Sequence, residues 1–147
     1  MNNLRFATLL HILVLAHHSQ NNLEENCPQK VLTSEFIAGS ININPVVVRK
    51  EIKVLKDAQL LAVKKGKEGG YYLIQPAHQI LLSDILQLAM SDTPFGKMNQ
   101  PNMACAIGKQ INHELKSIYS TLAQAMIDAL KSVTLAEFSN QFKNIHP

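Results

Sequence analysis

The sequence predicts a mainly α-helical chain that carries one short β-hairpin. Three observations predict it. Residues 44–58, NPVVVRKEIKVLKDA, have the spacing of a helix with one packing side and one basic side. Residues 60–75 switch to two short apolar runs around the turn GKEGG. Ile111, Leu115, Ile118, Leu122, Ala125 and Ala129 are spaced four, three, four, three, four, which is a heptad seam.

Taken in order, the first helix is expected over residues 4–17. LRFATLLHILVLA could pass for the apolar core of a secretion signal. His11 interrupts it, no small-x-small site follows, and the run is too short to span a bilayer. A central, buried helix is the better reading, with a cytoplasmic location and reduced thiols. Residues 18–31 are polar and are expected to form a surface loop; His17 and His18 read as a solvated pair at the helix end. Thr33 has the chemistry of an N-cap and Glu35 stands in the first turn of a second helix, about 34–40. Phe36, Ile37 and Ile41 are its expected packing residues.

Asn44 then caps a third helix, and Pro45 fits its first turn, where a missing N–H costs nothing. On a 3.6-residue wheel Val48, Ile52 and Leu55 share one side. Val46, Lys50, Lys53 and Asp57 share the other, flanked by Arg49, Lys56 and Val47. Two short helices joined by a tight turn, the second basic, make a helix-turn-helix. LLAVKK and YYLIQ follow as strands, with Gly69 and Gly70 supplying the positive φ or close approach of the hairpin tip. A basic hairpin directly after a helix-turn-helix is a wing.

Beyond Pro76 a helix is expected near 82–90, an irregular segment over 91–108, and a long helix over about 109–132. Ile107, Tyr119, Met126 and Leu130 widen the seam of that long helix. Such a seam packs either on its own chain or on its counterpart in a second subunit, and in a chain this small the second subunit is favoured. Thr134 caps a last short helix with Leu135, Phe138 and Phe142. The expected organisation is a winged helix-turn-helix over 1–77 and a linker helix, loop and dimerisation helix over 78–147.

The 147 residues carry a net charge of only +3. Its distribution is more informative. Seven Lys and Arg residues lie between Arg49 and Lys67, against Glu51 and Asp57, so that segment carries +5 and the remainder is slightly acidic. A local basic patch is the footprint of a polyanion site. Trp is absent and aromatics are 5%, which argues against base-stacking platforms for single strands. Two cysteines far apart, Cys27 and Cys105, make neither a disulfide framework nor a zinc site. No nucleophile elbow, P-loop or H-E-x-x-H is present, so an enzyme is not expected. The competing class is a winged-helix adaptor that binds protein instead of DNA. Affinity for duplex DNA against salt separates the two.

The stretches TSEFIAGSININPVVVRKEIKVLKDAQLL, KKGKEGGYYL, LSDILQLA, NMACAIGKQI and TLAEF together resemble the Rrf-type transcriptional regulators, over nearly the whole chain. Cluster-binding and cluster-free regulators both belong to that family. The resemblance implies a homodimer, a roughly palindromic operator and a repressor as the simplest default. By position it places Asn44, Val46, Val47, Arg49 and Lys50 at the major groove, with Lys53, Lys64, Lys65 and Lys67 completing the DNA-binding set. Lys65 stands where many relatives have an arginine for the minor groove. Cluster-binding relatives carry three cysteines in the loop before the long helix, some with a histidine three residues after the last. Here Cys105 alone remains, Gly108 stands at the histidine position, and His113 is too far along. The resemblance therefore implies the cluster-free branch, with no iron–sulfur cofactor. Cys105 is then either a small buried residue or a redox switch, for which a helix N-terminus favours the reactive thiolate and Cys27 is a candidate disulfide partner. The effector, if a small molecule, is not identified by the sequence.

Overall fold

A computed structural model describes residues 4–21, 32–67, 69–91 and 95–142. Helix α1 spans Arg5–Asn21, α2 Ser34–Ile41, α3 Pro45–Asp57, α4 Leu82–Ala89, α5 Gly108–Leu130 and α6 Leu135–Ser139. Strands β1 (Leu61–Lys64) and β2 (Gly70–Leu73) form one antiparallel hairpin.

Helix α1 is the hub. Leu9, Leu10, Ile12, Leu13 and Ala16 are buried, and α1 touches α2, α3, α4, α6 and β2. No helix among the described residues is long and apolar enough to cross a membrane. The helix runs four residues beyond its expected end because its polar tail finds partners. The His18 ring bonds the Ser139 carbonyl through Nε2 at 3.2 Å, and Gln20 donates to the Leu73 carbonyl. His17 and His18 are half-buried and meet edge to face, not solvated as expected.

The helix-turn-helix is closed by three asparagine and threonine devices. Thr33 Oγ1 accepts from the Phe36 amide at the start of α2. Asn42 takes the left-handed conformation, φ 61 and ψ 50, and ends α2. Asn44 Oδ1 accepts from the Val46 amide at 2.9 Å, with Pro45 in the first turn of α3. In α2 Ile37 is buried and half-buried Ile41 packs against the core, both as expected; Ala38 is buried as well, and Phe36 is exposed, contrary to expectation. At about 100° per position, Phe36 stands roughly opposite the direction shared by Ile37 and Ala38, which turns it outward. At the other end of α3, Gln59 is left-handed (φ 60), the Leu60 amide bonds the Leu55 carbonyl and the Gln59 amide bonds that of Lys56. That is a Schellman closure, with buried Leu60 against buried Leu55.

The hairpin pairs Leu61 with Leu73 and Lys64 with Gly70. Both strands are shorter than expected. The positive φ of its turn sits at Gly66 (φ 113) rather than at Gly69, and Gly69 supplies the close approach, since a Cβ there would run into the Lys64 carbonyl. The Tyr71 amide donates to the Leu32 carbonyl, which ties the hairpin to the entry of α2.

The C-terminal elements complete the same core. Ile80, Leu82, Ile85 and Ala89 pack in it with Leu135, which is fully buried. Leu82 donates to the Val133 carbonyl and Leu135 to that of Ile80, and Thr134 Oγ1 caps α6 at the Glu137 amide. Helix α5, about 34 Å long, leans on α4 and buries none of its residues.

Candidate nucleic-acid interface

Helix α3 is fixed by its buried side, and that fixes what it shows to solvent. Val48, Ile52 and Leu55 are buried, so Val46, Val47, Arg49, Lys50, Lys53, Lys56 and Asp57 are exposed. Glu51, the acid inside this basic run, is turned away. Arg5 Nε donates to its carboxylate at 3.0 and 3.2 Å, and the Glu51 side chain is only 14% exposed. The pair joins α1 to α3 across 46 residues and removes a negative charge from the basic side. Local periodicity carries no signal for such a contact.

On the hairpin, Lys64, Lys65 and Lys67 are exposed. Among the described residues, none of the six lysines of α3 and the hairpin is held in an ion pair. They are free to meet phosphates. β1 packs on α3, so helix and hairpin form one basic unit.

Two of the expected base readers have other work. Asn44 Oδ1 is engaged at the α3 cap, leaving its Nδ2. Arg49 Nη2 lies 3.3 Å from Glu35 Oε1, and Ser34 Oγ donates to Glu35 Oε2 at 3.1 Å. The Glu35 carboxyl is held below the usual carboxylate range by its own backbone amide first, then by Ser34 and Arg49. Glu35 was legible only as a helix-start acid; its link to Arg49 was not.

Cys105 is exposed, not buried. It lies in a turn set by Asn102, whose Oδ1 accepts from the Ala104 amide and whose carbonyl accepts from the Cys105 amide. The Gly108 amide points at Cys105 Sγ at 3.5 Å. Cys27 lies outside the described residues. A shallow cavity of about 340 Å³ opens between the end of α3, the hairpin exit and α4, lined by Ala58, Leu60, Gln75, Ile80, Asp84, Gln87 and Leu88.

The family model that matches is Rrf2, "Iron-dependent Transcriptional regulator", over residues 10–141. An iron–sulfur cluster does not fit the described residues. An iron–sulfur cluster is held by several thiolates, and the whole chain has two cysteines. Among the described residues no three of His, Cys, Asp or Glu come together as a metal site. At Gly108 a Cβ would stand 2.6 Å from the Asn102 carbonyl oxygen and 3.3 Å from the Cβ atoms of Cys105 and Pro101. The backbone thus closes over the place where a ligand side chain would have to begin.

The chain is 32% identical over 140 residues to the Bacillus subtilis (strain 168) protein named "Putative HTH-type transcriptional regulator YwnA", covering 95% of this chain and 98% of that one. It is similar, at 28% identity and a TM-score of 0.65, to the crystal structure of "a putative DNA binding protein", covering 91% and 97% of the two chains. The fold is shared with CymR, the global cysteine regulator of B. subtilis, at 17% identity, a TM-score of 0.63 and 95% of each chain. YwnA and CymR are named as regulators, and none of the three is named as an enzyme. With its winged helix-turn-helix and a match over residues 10–141, the chain belongs to the Rrf2 family of transcriptional regulators.

Proposed function

We propose that the chain binds a roughly palindromic duplex operator as a homodimer and represses transcription. In this reading α3 enters the major groove and the hairpin lysines reach the sugar-phosphate edge. The observation that carries it is the basic unit itself: lysines on α3 and hairpin without ion pairs among the described residues, with the intervening Glu51 turned inward to Arg5. The apolar side of α5, with Ile107, Ile111, Ile118 and Leu122 exposed, supports packing on a second copy. A dimer places the two α3 helices about one helical turn apart on DNA.

The family and the neighbours' names support the DNA-binding part of this reading; repression follows from simplicity, since steric exclusion needs no further surface. Release on oxidation fits the exposed Cys105, whose sulfur lies at the N-terminus of α5 next to the Gly108 amide. Diamide would take two electrons from a pair of thiols, Cys105 with Cys27 or with a second Cys105, and form one disulfide.

The test is affinity for duplexes selected from random DNA, measured against salt with and without diamide. Log affinity should fall linearly with log salt at about −0.9 per phosphate contacted. A salt-independent weak affinity would instead favour the adaptor. Cys105→Ser should retain DNA binding and lose the oxidant response; an unchanged response would remove Cys105 from the switch.

A further inference from the structure

The first turn of α3 presents two valines side by side to solvent, Val46 57% and Val47 45% exposed. The fold does not use them: α3 packs through Val48, Ile52 and Leu55. As β-branched residues they also add little to helix formation. Scattered exposed apolar residues need no explanation, but these two stand together on the basic side of a helix flanked by Lys50 and Lys53.

The polar groups beside them are partly committed. Reading adenine with a bidentate asparagine takes both amide atoms, and Asn44 Oδ1 is spent on the Val46 amide. The Arg49 guanidinium is drawn toward Glu35 on α2. The surrounding lysines, which make no ion pair among the described residues, select a polyanion over an apolar protein partner. In the major groove of DNA the apolar feature available to an apolar side chain is the 5-methyl group of thymine.

We propose that Val46 and Val47 read thymine 5-methyl groups in each half-site, so that the operator is specified there by apolar contact rather than by hydrogen bonds. The proposal rests on the DNA-binding reading above and names the bases that this surface takes.

The experiment uses the full chain and a duplex selected from random DNA. Each thymine of the half-site is replaced in turn by deoxyuridine, which removes the methyl and keeps every hydrogen-bonding group. Wild type should lose affinity roughly fourfold for each methyl contacted, the factor expected for burying one such group. Val46→Ala and Val47→Ala, both at exposed positions that leave the core intact, should bind the thymine duplex more weakly. Each variant should show no further loss at the thymine its valine contacts. Flanking thymines should be insensitive in every case. Equal losses in wild type and variants, or no loss in wild type, would overturn methyl reading while leaving DNA binding in place. Failure to select any sequence, with affinity insensitive to salt, would overturn both.

Discussion

Helices α3 and α5 are both amphipathic, yet the chain treats their apolar stripes in opposite ways. α3 hides Val48, Ile52 and Leu55 among the core residues. α5 buries nothing, and Ile118, at the middle of its seam, is 53% exposed. Even its better-covered shoulder of Tyr119, Met126 and Leu130 is only half-buried; Tyr119 meets the ring of Phe95 at 5.6 Å. A helix whose stripe is satisfied within the chain presents its opposite side at a fixed angle. A helix whose stripe is left in water can be satisfied by a second molecule. The first arrangement suits reading a groove, and the second suits joining two readers.

The sharpest way to break this comparison is a charge in each stripe. Ile118→Glu should leave the fold intact, because its side chain faces water in the single chain. It should convert a dimer to a monomer in sedimentation and weaken operator binding at least about tenfold, since one half-site is lost. A monomeric wild type, or an unchanged sedimentation coefficient, would refute α5 as the joining element. Leu55→Ala is the counterpart in α3. Its side chain is fully buried, so urea unfolding should show a loss of about 2–5 kcal/mol. Ile118→Ala, compared in the same way at low protein concentration, should cost less than about 0.5 kcal/mol.

How much of this contrast was legible in the sequence depends on range. The α3 stripe, its Asn44 cap and the heptad spacing of α5 are local patterns, and all appear in the structure where the pattern put them. What periodicity could not show is what each stripe packs against. The Arg5–Glu51 and Arg49–Glu35 pairs join residues 46 and 14 apart, and neither leaves a trace in local spacing. The last turn of α1 follows the same rule: HSQN, residues 18–21, reads as a polar loop until the Ser139 and Leu73 carbonyls that receive His18 and Gln20 are known. Phe36 is apolar by type, but its angle around α2 turns it away from Ile37 and Ala38 into solvent. Exposure of Cys105 depends on a loop whose turn is set by Asn102, not by any helix or strand period. As for the interface, the lysines were legible as charge, but the inward turn of Glu51, which takes one acid away from them, was not.

A smaller effect sharpens the comparison at the end of α3. Gln59 holds a left-handed conformation that costs a side-chain-bearing residue about 1–2 kcal/mol and that glycine adopts freely. Gln59→Gly should therefore raise stability, by about 1 kcal/mol or somewhat less once the unfolded chain's added freedom is counted. The gain belongs to the α3 closure, so it should not depend on protein concentration, whereas any contribution of the α5 seam should. A gain that grew with concentration would mean that the two helices are energetically coupled.

Acidification separates the two regions more gently. His11 and His17 are both partly buried on α1, the helix on which α3 packs. Burial lowers the affinity of His11 for a proton, with Ser40 Oγ as its neighbour at 3.1 Å. His17 is lowered by burial first and by the charge of His18 second. A histidine depressed in the folded chain binds fewer protons there than in the unfolded chain. Its contribution is therefore complete above the ordinary imidazole value of about 6.5 and is lost as pH falls through it. The melting temperature should drop between pH 7.5 and pH 5.5, and His17→Gln should flatten that drop by removing one of the two groups. Dissociation through the apolar α5 seam should follow pH less steeply than unfolding does. If dissociation moved with the same pH midpoint, the core around α1 and the seam would have to be one cooperative unit, and the separation between reader and joiner would not hold.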